Sequence, residues 1–558
     1  MLTRRHFLQG SVAAAFATKL GVVHAAANHA DTIYTNGTVW TGDSRVPLTN
    51  AFAVTGERFS ALGKDAAFSL KTKRTRIVDL QGAFVTPGLI DNHTHFLMGA
   101  KTLKQVNLRQ AATPEQFTDI IAGRAKSLPE GEWIEGGNWD EQLWGGELPT
   151  KEWIDKVTPN HPVAVARLDL HMLLLNSAAL KAAGIDKNTP TPPGGEIVRD
   201  AKGNPTGILK DQAKELVLSI IPADTMARNI DTFKQGIQHG LRHGVTQCHI
   251  KGISWESHNI LMAMREKAHP QMRFQSYVPI QDWKKLLQQI NDEGFGDQWV
   301  GWGGLKGLFD GSLGSRTALF HDAYHDDAST HGITVQDTND LREWTQQADQ
   351  HGLRVSLHAI GDEANDEALD IFEHTIKQNG KGKSARRFTI EHAQHLTKSA
   401  VPRFAQLGVI PCVQPYHAID DGRWAVKRIG EERLTGTYAF HSLLQAGATL
   451  SFGSDWPVAP LDPVKGIEAA VLRQTIDGKN PDGWLPDEKV TVEQALQAYT
   501  INNAYAAGQQ DELGSISTGK RADFVVMDNN LLTAPTGKIG STRILQTNLS
   551  GKAHFSTL

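Results

Sequence analysis

The sequence predicts an α/β chain built on a parallel (β/α)8 TIM barrel. A small β-sandwich formed from both chain ends and a subdomain inserted after barrel strand one complete the expected architecture. Three observations predict it. Eight short apolar runs lie within residues 86–510, most of them separated by amphipathic segments. Short β segments bounded by Asn-Gly and Thr-Gly turns fill both ends of the chain. Histidines and an aspartate stand at the carboxyl ends of several apolar runs, the face on which barrels of this kind build their sites.

Residues 1–30 read as an export address. Met1–Arg5 is basic, Phe7–Val23 is apolar and Ala-rich, and small residues at Ala25–Ala27 and Ala30 suit a signal peptidase. Arg4–Arg5 in TRRHFLQG resembles the twin-arginine export motif, and Lys19 suits that route. A periplasmic or secreted protein is therefore expected, with no stable membrane insertion after signal removal. A membrane anchor is the weaker alternative, because the apolar run is interrupted and shorter than the ~20 residues of a span.

Residues 31–85 and 511–558 carry the short β segments expected to join as one composite sandwich, neither end being long enough to close a sheet alone. Between them the strand candidates are AFVTPGLID, VTQCHI, FQSYVPI, GLKGLFD, RVSLHAIG, RFTIEHAQ, GVIPCVQP and TLSFGSD. In the intervening ALDIFEHTI, Leu369, Phe372 and Ile376 fall on one helical face. The interval of about 100–240 is too long for a single connection and reads as the insertion.

Composition narrows the function classes. With 40% hydrophobic and 21% charged residues the chain is globular, and 57 Lys and Arg nearly balance 61 Asp and Glu. No basic run or nucleic-acid motif is present, so nucleic acid is not an expected partner. The two cysteines, Cys248 and Cys412, lie in apolar runs and read as buried free thiols, not as a disulfide framework or zinc cluster.

His93 and His95 in IDNHTHF are spaced so that both imidazoles of an extended chain can reach one ion. His358 in RVSLHAIGD, His392 in FTIEHAQH and Asp455 in LSFGSDWP each stand at a strand end. Singly each reads more simply as a core histidine or a helix cap; together they point to metal ligation. Lys306 in GLKGLFDGSLGSRTA is a sixth candidate. Buried, it either pairs with Asp310 or reacts with carbon dioxide to give a carbamate that bridges two metals. Glu391 points away from His392 along the strand and reads as a structural partner.

The set His93, His95, Lys306, His358, His392 and Asp455 resembles the amidohydrolase superfamily. The stretches VTPGLIDNHTHF, GGNWDE, LKGLFDGSLGSRTA, LHAIGD, IEHAQH, SFGSDWPV and GSISTGKRADFVVMD are similar to its YtcJ-like (amidohydrolase-3) branch, which includes N-substituted formamide deformylase. The resemblance runs from about Asp31 to about Asp528. It implies one or two divalent ions, zinc first among them, with carboxylated Lys306 bridging where two are present. It also implies a metal-activated hydroxide, with Asp455 as catalytic proton shuttle.

The expected reaction is hydrolysis of an amide C–N bond in an N-acyl or N-formyl amine. The alternatives are a deaminase, lactonase or cyclic-amide hydrolase on the same site, or a non-catalytic exported binding or regulatory protein. Asp310, Ser312 and Arg316, with Asp169 and His171 from the insertion, are candidates for substrate contact. Trp139, Trp144, Trp424 and Trp456 are candidates for a pocket wall. Expected partners are a small-molecule substrate and a second copy of the chain.

Overall fold

The structure is a computed structural model that describes residues 29–167, 172–192, 195–222, 224–267, 271–314, 316–380 and 386–558. The export segment lies outside these residues, apart from His29 and Ala30. Among the described residues, no helix is long and apolar enough to cross a membrane.

The eight expected runs form eight parallel strands paired in sequence order. They are Leu89–Thr94, Val245–Lys251, Arg273–Pro279, Val300–Leu308, Val355–Ala359, Thr389–His392, Ile410–Val413 and Ser451–Phe452. Buried on both faces, such strands read as continuous apolar runs, which is why the sequence shows them clearly. The first candidate run divides, however. Phe84–Pro87 pairs with the end sheet and only Leu89–Thr94 enters the barrel. Gly88 lies between them against Thr246, where a Cβ would come within 2.7 Å of its Cγ2.

Strands eight and one meet with one bridge, Thr94 to Trp456, instead of a ladder. Side chains complete the seam. Asn503 Nδ2 donates to Ile90 O at 2.5 Å and to Phe452 O at 2.8 Å, and Asp91 Oδ1 accepts from Ser454 N at 3.0 Å. Asp455 N donates to His93 O at 2.7 Å, fixing two candidate site residues to one another's backbone. Replacing Asn503 by Ala leaves two buried carbonyls without this donor. The variant is expected to lose about 1–3 kcal/mol, read as a lower denaturant midpoint; an unchanged midpoint contradicts the side-chain seam.

Both chain ends contribute to one further sheet. Lys552–Ser556, Ile544–Leu549, Phe524–Met527, Phe84–Pro87, Thr32–Trp40, Leu48–Thr55 and Arg58–Leu62 pair in that order, with Arg76–Asp79 beside Thr32–Trp40. The two-ended assembly is thus one hydrogen-bonded sheet, where a sandwich was expected. The long strand Thr32–Trp40 pairs with three others and breaks register near Asn36, which lies at φ 58°. A buried pair, Arg273 Nε to Asp523 Oδ2 at 2.7 Å, ties this sheet to the start of barrel strand three.

The insertion is a six-stranded sheet running from Val106–Asn107 to Pro205–Asp211, with apolar clusters around Phe117 and Trp139 and around Leu173 and Leu209. It is shorter than the expected 100–240. Helix Met226–Arg242 packs beside Phe96–Thr102 in the barrel's own outer layer, its Phe233 stacked on Phe96. In helix Asp362–Asn379, Leu369 and Phe372 are buried and Ile376 packs against the same core.

Candidate metal centre

His93 is the penultimate residue of strand one, and His95 follows it at the start of helix Phe96–Thr102. Asp455 lies three residues beyond strand eight. Its Oδ1 is 3.4 Å from His93 Nε2 and 3.2 Å from His95 Nε2, and it is buried without a hydrogen-bond partner. Ligands about 2.0–2.1 Å from a tetrahedral ion lie roughly 3.3 Å from one another. The observed separations are those of ligand atoms sharing a cation. Among the described residues, His93, His95 and Asp455 form one such group and His392, His417 and Asp455 a second, each with its ligand atoms within 4.8 Å.

Strand alternation alone does not aim these side chains. His392 and Asp455 lie in the left-handed region, at φ 74° and φ 60°, and Ala393 follows at φ 40°. For non-glycine residues this backbone is uncommon and strained, and such strain concentrates at functional sites.

The second nitrogen of three imidazoles is fixed by a neighbour. His392 Nδ1 donates to Gln414 Oε1 at 2.8 Å, and His358 Nε2 donates to Gly311 O at 3.0 Å, since a carbonyl oxygen can only accept. Glu391 Oε2 lies 2.8 Å from His93 Nδ1. Partners of this kind set the tautomer and leave the opposite nitrogen's lone pair for a metal. That nitrogen is Nε2 in His93 and His392 and Nδ1 in His358. The rings of His93 and His358 pack 5.0 and 4.5 Å from that of His392.

Protonation agrees with this geometry. Burial lowers the His93 pKa to about 4 and holds His392 well below its usual value, so both are neutral near pH 7. Burial pushes the Asp455 carboxyl up, but the imidazoles of His93, His95 and His392 more than offset it and keep the group anionic. Neutral imidazole and ionised carboxylate are the ligand forms. These residues fit a divalent cation.

Two buried lysines lie beneath. Burial lowers Lys306, on strand four, to about 8. No ion pair joins it to Asp310, so the expected alternative is set aside. The Asp310 carboxylate instead accepts from the backbone N–H groups of Leu319, Ile360 and Gly361 at 2.8–3.0 Å. Lys251, at the end of strand two, sits 3.0 Å from Glu391 Oε1 and 3.5 Å over the Tyr277 ring. That same Oε1 accepts from Ser356 and Thr389. Glu391 thus links Lys251 to His93, the structural pairing expected of it with a partner the sequence did not show.

Other candidates are placed as follows. Asp310 braces the loop after strand four, and its Oδ1 also lies 3.3 Å from His358 Nε2. Arg316 is held bidentately by Asp326, at 3.0 and 2.9 Å, and Ser312 donates its N–H to Thr317 Oγ1. Asp169 and His171 lie outside the described residues. Trp139, Trp144 and Trp456 are packing residues: Trp139 donates to Val165 O, Trp144 packs on Phe117, and Trp456 stacks on His239. Trp424 remains beside the loop after strand four, against Gly314. Cys248 and Cys412 are buried and free, as expected.

Lys251, Gln414 and His417 were not singled out from sequence. All three stand at or just past the carboxyl ends of strands two and seven, so the rule that found His93 and His358 reaches them too.

A family model described as "Amidohydrolase family" matches residues 76–555. Protein LONG AFTER FAR-RED 3 of Arabidopsis thaliana is 38% identical over 536 residues, covering 94% of this chain and 91% of that protein. N-substituted formamide deformylase of Arthrobacter pascens is 28% identical over 550 residues, covering 94% and 98%. A solved structure of an uncharacterized metal-dependent hydrolase from Pyrococcus furiosus matches with a TM-score of 0.74 at 28% identity, covering 90% of this chain and 100% of that one.

Proposed function

Because this chain belongs to the amidohydrolase family, hydrolases that act on carbon–nitrogen bonds, we propose that it cleaves the amide of an N-formyl or N-acyl amine. The observation that carries the reading is the convergence of His93, His95, His392 and Asp455 at one rim, with His93 and His392 neutral and the carboxylate ionised. The name of the Arthrobacter pascens relative supports a formamide as the first substrate to try.

His93, His95 and Asp455 would hold one ion, and His358 and His392 a second. Lys306, whose neutral amine would lose a proton on adding carbon dioxide to become a carbamate, would supply a further anionic ligand. A divalent ion held there, zinc being suited to an imidazole-rich set, would supply Lewis acidity for the amide carbonyl and for ionising water near neutral pH. Asp455 takes the proton from the attacking water and delivers it to the leaving nitrogen as the C–N bond breaks. Glu391 and Gln414 hold His93 and His392 in the tautomers the site needs. The segment Met1–Ala30 is proposed to direct export, which N-terminal sequencing of a periplasmic fraction would check.

The test is elemental analysis of the purified protein beside a screen of N-formyl and N-acyl amines. The expected result is roughly one or two divalent equivalents per chain and amide hydrolysis that chelation abolishes. Metal-free protein inactive across the panel would instead favour a binding or regulatory role.

A further inference from the structure

His417 stands in the first turn of helix Pro415–Asp421, just past strand seven. Its Nε2 is buried and has no hydrogen-bond partner among the described residues, yet lies 4.0 Å from Asp455 Oδ2. Its ring is parallel to that of His392, with centroids 6.3 Å apart and an interplanar angle of 11°. A buried polar atom without a partner costs about 1–3 kcal/mol, so in the working enzyme something is expected to fill that gap. The imidazoles of His392 and His358 each have one nitrogen bonded, to Gln414 and Gly311, and His93 Nδ1 stands 2.8 Å from Glu391 Oε2. His417 lies against the opposite carboxylate oxygen from His93 and His95. Its side chain is 12% accessible, between the 1% of His93 and the 39% of His95. His93 and His95 therefore converge on Asp455 Oδ1, while His417 faces Oδ2.

Asp455 gives its proton to the leaving nitrogen, and a group facing Asp455 Oδ2, away from the His93 and His95 pair on Oδ1, is placed to meet that nitrogen. We propose that His417 is a catalytic residue that contacts the substrate, its Nε2 accepting a hydrogen bond from the N–H of the scissile amide. Held this way, the nitrogen presents its lone pair to the proton on Asp455. The C–N bond then breaks, the lone pair takes that proton, and the N–H bonded to His417 is retained in the amine product. The proposal rests on the amide reading above and names the part of the substrate that this side chain recognises.

A matched pair of substrates isolates the contact: N-benzylformamide, which carries the N–H, and benzyl formate, which does not. His417→Ala is expected to lower kcat/KM for the amide by about 100-fold, because a site built to bond an N–H loses most where that bond is lost. For the ester the loss is expected to stay within about three-fold, and metal content to match the wild type. His417→Gln, which keeps an acceptor oxygen, is expected to recover part of the amide activity. Equal losses on amide and ester mean a structural role and overturn the proposal. Loss of one metal equivalent makes His417 a ligand and overturns it as well. A wild-type enzyme that cleaves only the ester, or neither substrate, overturns the amide reading itself and this role with it.

Discussion

Asp455→Asn is expected to lower kcat for amide hydrolysis by about 1,000-fold while the purified variant keeps its metal. General acid–base groups contribute of this order, and the asparagine retains an oxygen where Oδ1 lies, 3.2 Å from His95 Nε2, but has no basic site. The carboxylate is suited to the work by position. It is 6% exposed, and its imidazole neighbours hold it anionic against the cost of burial, so it is available to accept a proton. Its left-handed backbone fixes its direction, and the bond from its N–H to His93 O fixes its distance from strand one. Parallel measurement of kcat and metal content separates the roles. Loss of metal would make Asp455 chiefly a ligand, and full activity would reject it as proton carrier.

Glu391→Gln carries the second large effect, on stability and on metal affinity together. The wild-type carboxylate faces the Lys251 ammonium at 3.0 Å and His93 Nδ1 at 2.8 Å, all three buried. Burial alone would raise the Glu391 pKa, but Lys251 and His93 hold it well below the usual carboxylate value. Removing its charge leaves a buried cation without its counter-ion, a change that costs about 3–5 kcal/mol. It also weakens the orientation of His93, worth about 10–100-fold in metal affinity where such partners have been removed. A second substitution divides the two effects. Pairing Glu391→Gln with Lys251→Met removes the stranded cation, so the denaturant midpoint is expected to recover while metal affinity stays low. If affinity recovers along with stability, Glu391 acts only through folding and not through His93.

What could be read in the sequence follows from how each feature is encoded. The eight barrel strands were legible because burial on both faces leaves apolar runs such as VTQCHI that turns interrupt. His93, His95, His358, His392 and Asp455 were legible because they stand at the ends of those runs. The break at Gly88 was not, because Phe84–Pro87 and Leu89–Thr94 form one apolar stretch and only pairing partners divide it. The extent of the insertion was overestimated because helix Met226–Arg242 carries no sign of which core it covers. Lys251 and His417 were passed over because their meaning comes from neighbours far along the chain, Glu391 and Asp455. Asp310 shows what pattern alone leaves out: its carboxylate accepts from the backbone of its own loop and stands 3.3 Å from His358 Nε2, contacts that only the fold reveals.

The central claim is that side chains from five strand ends grip divalent metal at one rim, and anomalous diffraction recorded at the absorption edge of the metal found by elemental analysis tests it most directly. The predicted result is strong density within about 2.0–2.2 Å of nitrogen or oxygen ligands from His93, His95 and Asp455, with any second peak against His358 and His392 and bridged by a modified Lys306. Anomalous density elsewhere in the molecule, with these side chains bare in a crystal grown with the metal, would contradict it.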